Sequence, residues 1–366
     1  MNRRRFLKYA GATAAVAGAS ALGLNYISQQ GSSTASPATS GALTHQLSTT
    51  PSSTSTEAPQ LASLRGRLFF DYSGNGIQDG EEPAVQKARV ILKKSTGAAI
   101  AEAVTDSSGD YKLEDIHVGI YTLLVEADKK FRYMCRSSEE FRGITEGYEL
   151  SVGYWGDMPD MNIGLMEGFL TLPFGKEVKY TVGAYVDLDL GPAQRDWKGG
   201  SLTGIDNHRG IDYLMPVGQK LLAMAPGWIV EAVDNWPSNP ESRDPSTGAL
   251  ETGNRITICH GHDPHFGSLI GTHVCHLRQG ILVEPRKLDY NLGAQRVRRG
   301  QALAYSGNTG KLSFAPHVHA QVWVGSLSAE GYVDPYKALL GVHGDPSHSP
   351  SFSLWTKEND PQYNQG

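Results

Sequence analysis

The apolar positions of this chain fall in short runs separated by turn-forming clusters, a pattern that predicts strands. Gly66–Phe70, Ala88–Lys93 and Tyr121–Glu126 are such runs, with the turn cluster Ser107-Ser108-Gly109-Asp110 before the last of them. Further on, Leu221–Ala225 and Trp228–Val233 flank the turn signal Pro226-Gly227, and Arg255–Cys259 and Thr272–Leu277 read as the next strand pair. The run from His317 to Trp323 is β-prone and follows a loop signal, Ser306-Gly307-Asn308-Thr309-Gly310. Two stretches depart from this pattern. Tyr9–Leu24 is a mild Ala/Gly-rich apolar run behind the basic start Asn2-Arg3-Arg4-Arg5-Phe6-Leu7-Lys8. Gln29–Ser63 is rich in Ser, Thr, Ala and Pro and nearly free of charge and aromatics, too polar to offset the entropy of ordering.

The patterns divide the chain into an export signal over 1–28, a disordered linker over 29–63, a β domain over 64–167, a second β domain over 168–342 and a flexible tail over 343–366. At 366 residues there is room for two or three cores, and 42 glycines with 19% charged residues suit a turn-rich β protein. Removing Met1–Leu24, which holds four basic and no acidic residues, takes the formal charge from −5 to −9. A chain that acidic has no general attraction for nucleic acid or anionic lipid, and neither is expected as a partner. The order Arg-Arg-x-Phe-Leu-Lys resembles a twin-arginine signal, which implies the twin-arginine export machinery as a partner. The destination is then the periplasm, the cell envelope or the medium. If Ala19-Ser20-Ala21 is not cut, the protein stays tethered to the membrane.

In the first β domain, Asp71, Ser73, Asn75, Ile77, Asp79 and Glu82 fall at the ligand spacing of a calcium loop, with Gly76 at its sharp turn. Ser73 stands where a charged or amide donor is usual, and the same residue types also suit an ion-free turn. Gly66-x-Leu68-Phe69-x-Asp71, Asn75-Gly76, Ala88-Arg89-Val90-x-Leu92, Thr105-Asp106, Gly109-x-Tyr111 and Gly119-x-Tyr121 together resemble the SdrD B-like (Cna B-type) repeat. Met161-Asn162-Ile163-Gly164 is similar to its closing strand. The resemblance implies a prealbumin-like β-sandwich, often calcium-stiffened, that serves as a stalk.

Chemistry-bearing residues concentrate in the second β domain. On a strand, His317 and His319 face the same way, roughly 6–7 Å apart at Cα, so both can reach one metal, or one can bind while the other moves protons. His208 and Asp212 would lie about 13 Å apart on a straight strand, but Gly210 between them allows a bend. His208-x-Gly210-x-Asp212, His276-Leu277 and His317-x-His319, with Gly300-Gln301, Ser306-Gly307-x-Thr309-Gly310 and Val333-Asp334-Pro335, resemble the lysostaphin/LytM-type zinc metallopeptidases. The fold class this implies is all-β, a sandwich followed by an antiparallel lysostaphin-like peptidase sheet. By the same resemblance His208, Asp212 and His319 hold zinc, while His276 and His317 are catalytic, acting as acid and base toward a zinc-activated water. Two imidazoles and a carboxylate leave a fourth position open for that water. Val274 and Ala315 depart from the family's usual aromatic and glycine, which bears on groove shape more than on ligation.

The resemblance implies an exported zinc metalloendopeptidase that hydrolyses stem peptides or cross-bridges of peptidoglycan. The alternatives are a non-catalytic wall-binding or amidase-activating module of the same fold, and a peptidase acting on Gly-rich proteins. His45, His117, His260, His262, His265, His273, His343 and His348 are expected to stay outside the metal site. On a strand, His273 and His276 would face opposite sides. Cys135, Cys259 and Cys275 are odd in number; Cys259 and Cys275 sit on neighbouring strands, where a bridge or two buried thiols both fit. Arg296-Val297-Arg298-Arg299 reads as a solvated edge.

Overall fold

The computed structural model describes residues 61–153, 158–187, 208–236, 252–290, 295–310, 313–327, 331–336, 339–340 and 352–359. The export signal, nearly all of the linker and residues 237–251 lie outside these residues. Among those described, the chain is built of strands, with a single 3-10 turn at Lys357–Asn359.

The first domain is a sandwich of nine strands. They are β1 (Ala62–Phe70), β2 (Arg89–Lys94), β3 (Ala99–Val104), β4 (Asp110–Ile116), β5 (Gly119–Glu126), β6 (Tyr133–Cys135), β7 (Arg142–Gly143), β8 (Tyr148–Val152) and β9 (Ile163–Met166). One sheet runs β4-β1-β9-β6-β7 and the other β3-β2-β5-β8. Period-2 alternation builds the core: Tyr111 and Leu113 of β4 point in, while Lys112 and Glu114 point out. A left-handed Asp115 (φ 56°) then resets the phase, so that Ile116 is buried opposite Ala62. The closing strand expected near Ile163 is β9, which pairs parallel to β1.

The second domain adds β10 (Thr181–Ala184), β11 (Ile211–Leu214), β12 (Lys220–Leu222), β13 (Gly227–Val233), β14 (Asn254–Asp263), β15 (Ser268–Leu277), β16 (Gln295–Val297), β17 (Ala302–Tyr305), β18 (His317–Val324), β19 (Tyr332–Asp334) and β20 (Leu339–Leu340). Its main sheet runs β10-β11-β18-β15-β14-β13-β16 and is antiparallel throughout. Ile211, Tyr213, Ile256, Ile258, Val318 and Ala320 turn to one face and form the core. Asp212, Cys275 and His319 share a register row on the other face, so the functional side chains project away from the core.

The sandwich packs against the second domain: residues 57–366 form one compact unit, and Tyr133, Cys135 and Met166 of the sandwich sit within the second domain's core. Tyr133 donates its hydroxyl to Asp263 (2.8 Å), and Phe141 stacks on Phe169 at 4.3 Å. Two expectations are corrected here. The tail over 343–366 is not wholly flexible, because Leu354, Trp355 and Thr356 are buried, with Trp355 bridged to Leu170. That segment also reaches the sandwich, where Glu358 N–H donates to the Tyr72 carbonyl. Finally, the basic run is solvated only at Arg296 and Arg298; Arg299 is buried in the seam between the domains.

Candidate metal centre

Strand alternation brings His317 and His319 to the face expected of them, and the β11–β18 register sets Asp212 directly opposite His319. Asp212 Oδ1 lies 2.8 Å from His319 Nδ1 and 3.1 Å from His208 Nε2, and the two nitrogens are 3.1 Å apart. His208 reaches this point because the chain bends just before β11. Its carbonyl accepts from Asp187 N–H (2.7 Å), and its own Nδ1–H donates to the Tyr185 carbonyl (2.7 Å). Gly210 is required by space: a Cβ there would sit 2.5 Å from His319 Nε2 and 2.6 Å from the Ala320 carbonyl oxygen.

This trio is the one His/Cys/Asp/Glu group gathered at metal-binding distances among the described residues. Zinc bonds of about 2.0–2.2 Å at tetrahedral angles put donors roughly 3.3–3.5 Å apart, so the observed triangle needs to open by only a few tenths of an ångström. Two nitrogens and one carboxylate oxygen, with the second nitrogen of His208 held by a carbonyl, fit zinc in donor chemistry as well.

The two remaining histidines flank the trio. His317 donates Nδ1–H to the Ala315 carbonyl (2.7 Å), which turns Nε2 inward to 3.7 Å from Asp212 Oδ1. His276 donates Nδ1–H to the Thr309 carbonyl (2.8 Å), and its ring centre lies 4.5 Å from that of His317. Its backbone is left-handed (φ 62°), an uncommon state for a residue with a Cβ, so the alternation that would place it by counting from His273 does not apply. The Thr309 hydroxyl holds this conformation by donating to the Leu277 carbonyl (2.8 Å) and accepting from Asn254 N–H (3.0 Å). Gly307 packs against the same turn, where a Cβ would stand 2.6 Å from the His276 carbonyl oxygen.

Electrostatics follow from this packing. Burial alone would raise the Asp212 carboxyl, but hydrogen bonds from His208 and His319 outweigh it and hold the group below the ordinary carboxylate range. Burial opposes charge on His208 too, yet the bond and charge of Asp212 leave its pKa raised. Burial, then the neighbouring His317 and His319, pushes His276 down to about 3, so its Nε2 is a neutral acceptor near pH 7.

All five histidine and aspartate positions singled out in the second domain thus converge. What the sequence did not reveal were the carbonyl anchors of Tyr185, Ala315 and Thr309, which carry no residue signature; Thr309 was marked only as part of a loop signal and Ala315 only for groove shape. His260 and His273 stay outside the trio: His260 bonds the Pro226 carbonyl and Thr272 hydroxyl, and His273 bonds the Thr257 hydroxyl. Cys259 and Cys275 are free and buried, because their registers differ: Cys259 faces Gly271 while Cys275 faces His319.

The calcium expectation meets a different geometry. Asp71 accepts from the N–H groups of Ser73, Gly74 and Gly76, and Glu82 from those of Tyr72 and Asp79. Asn75 gives its oxygen to Ile77 N–H and its amide hydrogens to Asp79. Asp71, Asp79 and Glu82 do not gather within 4.8 Å of one another. Ser73 Oγ donates to Asp71, so the loop's oxygens face its own backbone rather than a shared centre.

Fold and site together define a β-sandwich joined to an antiparallel-sheet domain of metallopeptidase type. The sequence comparisons agree: the chain carries an SdrD B-like domain, matched over residues 62–140, followed by a domain of Peptidase family M23, matched over residues 206–335. Among curated proteins, serine-aspartate repeat-containing protein E of Staphylococcus aureus (strain MSSA476) is 32% identical over 126 residues, 33% of this chain and 10% of that protein. Bone sialoprotein-binding protein of Staphylococcus aureus (strain MRSA252) matches to the same extent. The chain therefore spans about a tenth of the length of these curated relatives. Among solved structures, the catalytic domain of lysostaphin from Staphylococcus simulans is 27% identical, covering 43% of this chain and 89% of that one, with a TM-score of 0.27. A zinc-containing peptidase from Vibrio cholerae is 16% identical, covering 68% and 83%, with a TM-score of 0.29.

Proposed function

We propose that this protein is an exported zinc metalloendopeptidase that hydrolyses peptide cross-bridges of peptidoglycan. The observation that carries the reading is the convergence of His208 Nε2, Asp212 Oδ1 and His319 Nδ1 within 3.1 Å of one another, flanked by two non-ligand imidazoles. Zinc held there would supply a Lewis acid for the scissile carbonyl and would make water acidic enough to attack near neutrality. The chain's own residues do the rest. His276 Nε2, unprotonated and anchored through Thr309, accepts the proton of the attacking water. His276 then passes that proton to the leaving amine, while His317, anchored through Ala315, presents Nε2 from the other side, where an N–H would stabilise the developing oxyanion. Export by the twin-arginine route belongs to the same reading, since the substrate lies outside the cytoplasm.

The test uses the full chain on purified sacculi, with bound metal quantified and soluble peptides identified. About one zinc per chain and release of cross-bridge fragments is expected. His317→Ala should keep its zinc while kcat/KM falls by about 10²–10⁴-fold. Zinc with wall binding but no cleaved bond would refute the hydrolase reading in favour of a binding module; cleavage of a Gly-rich protein but not of sacculi would refute the substrate class.

A further inference from the structure

The loop Asp71–Glu82 poses a charge problem that its own residues do not solve. Asp71 is fully buried, and beyond backbone N–H groups its carboxylate meets only neutral donors, the Ser73 hydroxyl at 3.3 Å and the Cys135 thiol, 3.0 Å from Oδ2. A thiol is a weak donor and adds no positive charge. A buried carboxylate without a nearby cation is costly, which is why loops of this spacing commonly hold a metal. Here, however, the donors at the first, fifth and twelfth positions are spent on backbone and on each other, so they do not fit a calcium ion.

Arg299 poses the complementary problem. It comes from the peptidase domain, after β16, and its side chain is buried in the seam. Nη1 donates to the carbonyls of Phe169 (2.6 Å) and Met224 (3.1 Å), while Nε and Nη2 find no acceptor. The guanidinium lies flat on the Asp71 loop at Gly74, where a Cβ would stand 2.9 Å from Cζ and 3.0 Å from Nη2. Gly74 is also the residue whose N–H binds Asp71 Oδ1 (2.5 Å), and it adopts φ 74°. Burial holds the Arg299 pKa below its ordinary value, while Cys135 and Asp71 are close enough to oppose that shift. The main chain fixes the approach, since Arg299 N–H donates to the Ser138 carbonyl of the sandwich (2.7 Å).

We propose that Arg299 is the resident cation of the Asp71 loop: a guanidinium supplied by the peptidase domain takes the electrostatic place of calcium and ties the sandwich to the catalytic sheet. Each domain then completes the other. A divalent ion in the loop would meet the guanidinium as a like charge, so calcium is excluded as well as unneeded. The glycine at position 74 is accounted for twice, by its left-handed backbone and by the cation resting on it.

The experiment uses the full chain in chelating-resin-treated buffer, with bound calcium measured after dialysis and thermal melting followed with and without about 5 mM CaCl2, enough to load an extracellular-type calcium site. The wild-type protein should hold no stoichiometric calcium, and its Tm should move by less than about 1 °C, where an occupied site would raise it by several degrees. Arg299→Gln should lower Tm by several degrees or fail to fold, with the Tyr133–Gly143 hairpin opened to protease, while Arg299→Lys, which keeps the charge, should fold and melt closer to the wild type. One bound calcium per wild-type chain, a calcium-dependent rise in its Tm, Arg299→Gln melting with the wild type, or Arg299→Lys falling as far as Arg299→Gln would each overturn the proposal. None of these readouts depends on hydrolytic activity.

Discussion

Acid should destabilise this protein by about 2 kcal/mol between pH 7 and pH 5 through His260 alone. The imidazole is fully enclosed, with Nδ1 bonded to the Pro226 carbonyl at 2.9 Å and Nε2 to the Thr272 hydroxyl at 3.0 Å. Phe141 and Phe169 close over it, their ring centres 6.4 and 5.9 Å away, so it sits in the seam that joins the domains. Burial pushes its pKa from 6.5 down to about 4, with the Arg299 charge adding to the shift. The unfolded chain therefore binds a proton below about 6.5 that the folded chain refuses until about 4. The associated stability is complete above 6.5 and is lost as the pH falls toward 4, at about 1.4 kcal/mol per pH unit. At pH 5 that amounts to about 2 kcal/mol. The assay is urea unfolding at both pH values, for the wild type and for His260→Gln, whose amide can replace both hydrogen bonds without titrating. Buried His273, also held below its ordinary range, and any loss of metal act on both proteins and cancel in the comparison. Equal acid sensitivity of the two proteins would refute the assignment.

Other perturbations test the site and its support. Asp212→Ala removes the atom that both ligand imidazoles contact, so bound zinc after dialysis should fall below about a tenth of the wild-type content, measured by elemental analysis. Gly210→Ala should cost about 1–3 kcal/mol and weaken zinc about 10–100-fold in a chelator competition, because its methyl group collides with the His319 ring and with a backbone oxygen that strand pairing holds in place. Glu231→Gln should destabilise by about 3–5 kcal/mol in denaturant unfolding, since Glu231 takes two bonds from buried Arg255 (2.7 and 3.1 Å) and one from Thr257 (3.2 Å).

What could be read from the sequence depended on whether residue counting tracks geometry. It does on β18, where a regular strand puts His317 and His319 on one face, and at Gly210, where a bend was needed and space for it was kept. It fails at His276, whose left-handed backbone departs from the strand's two-residue alternation. It fails again in the Asp71 loop, because spacing fixes which residues recur but not whether their oxygens turn to an ion or to neighbouring N–H groups. Arg299 was hidden for a related reason. A run of three arginines in four positions looks solvated, yet the strand ends at Val297 and the turn after it carries Arg299 into the seam. The seam had no signature of its own, since Tyr133 opens a strand of only three residues and Phe141 precedes one of only two.

The anchors of the four site histidines divide them by role more sharply than their motifs do. His208, His276 and His317 each donate Nδ1–H to a main-chain carbonyl, which fixes the ring and turns Nε2 toward the centre. His319 is reversed: it presents Nδ1 to Asp212 and His208, while Nε2 faces the space that Gly210 leaves open. A backbone carbonyl is a fixed acceptor that does not titrate, so the ring orientations of His276 and His317 persist whatever the protonation of nearby carboxylates. Metal binding needs two nitrogens and an oxygen on one point, and proton transfer needs two further nitrogens aimed beside it. Both requirements are met by backbone geometry, through three loops that end at Tyr185, Thr309 and Ala315, and the side chains themselves supply only the chemistry.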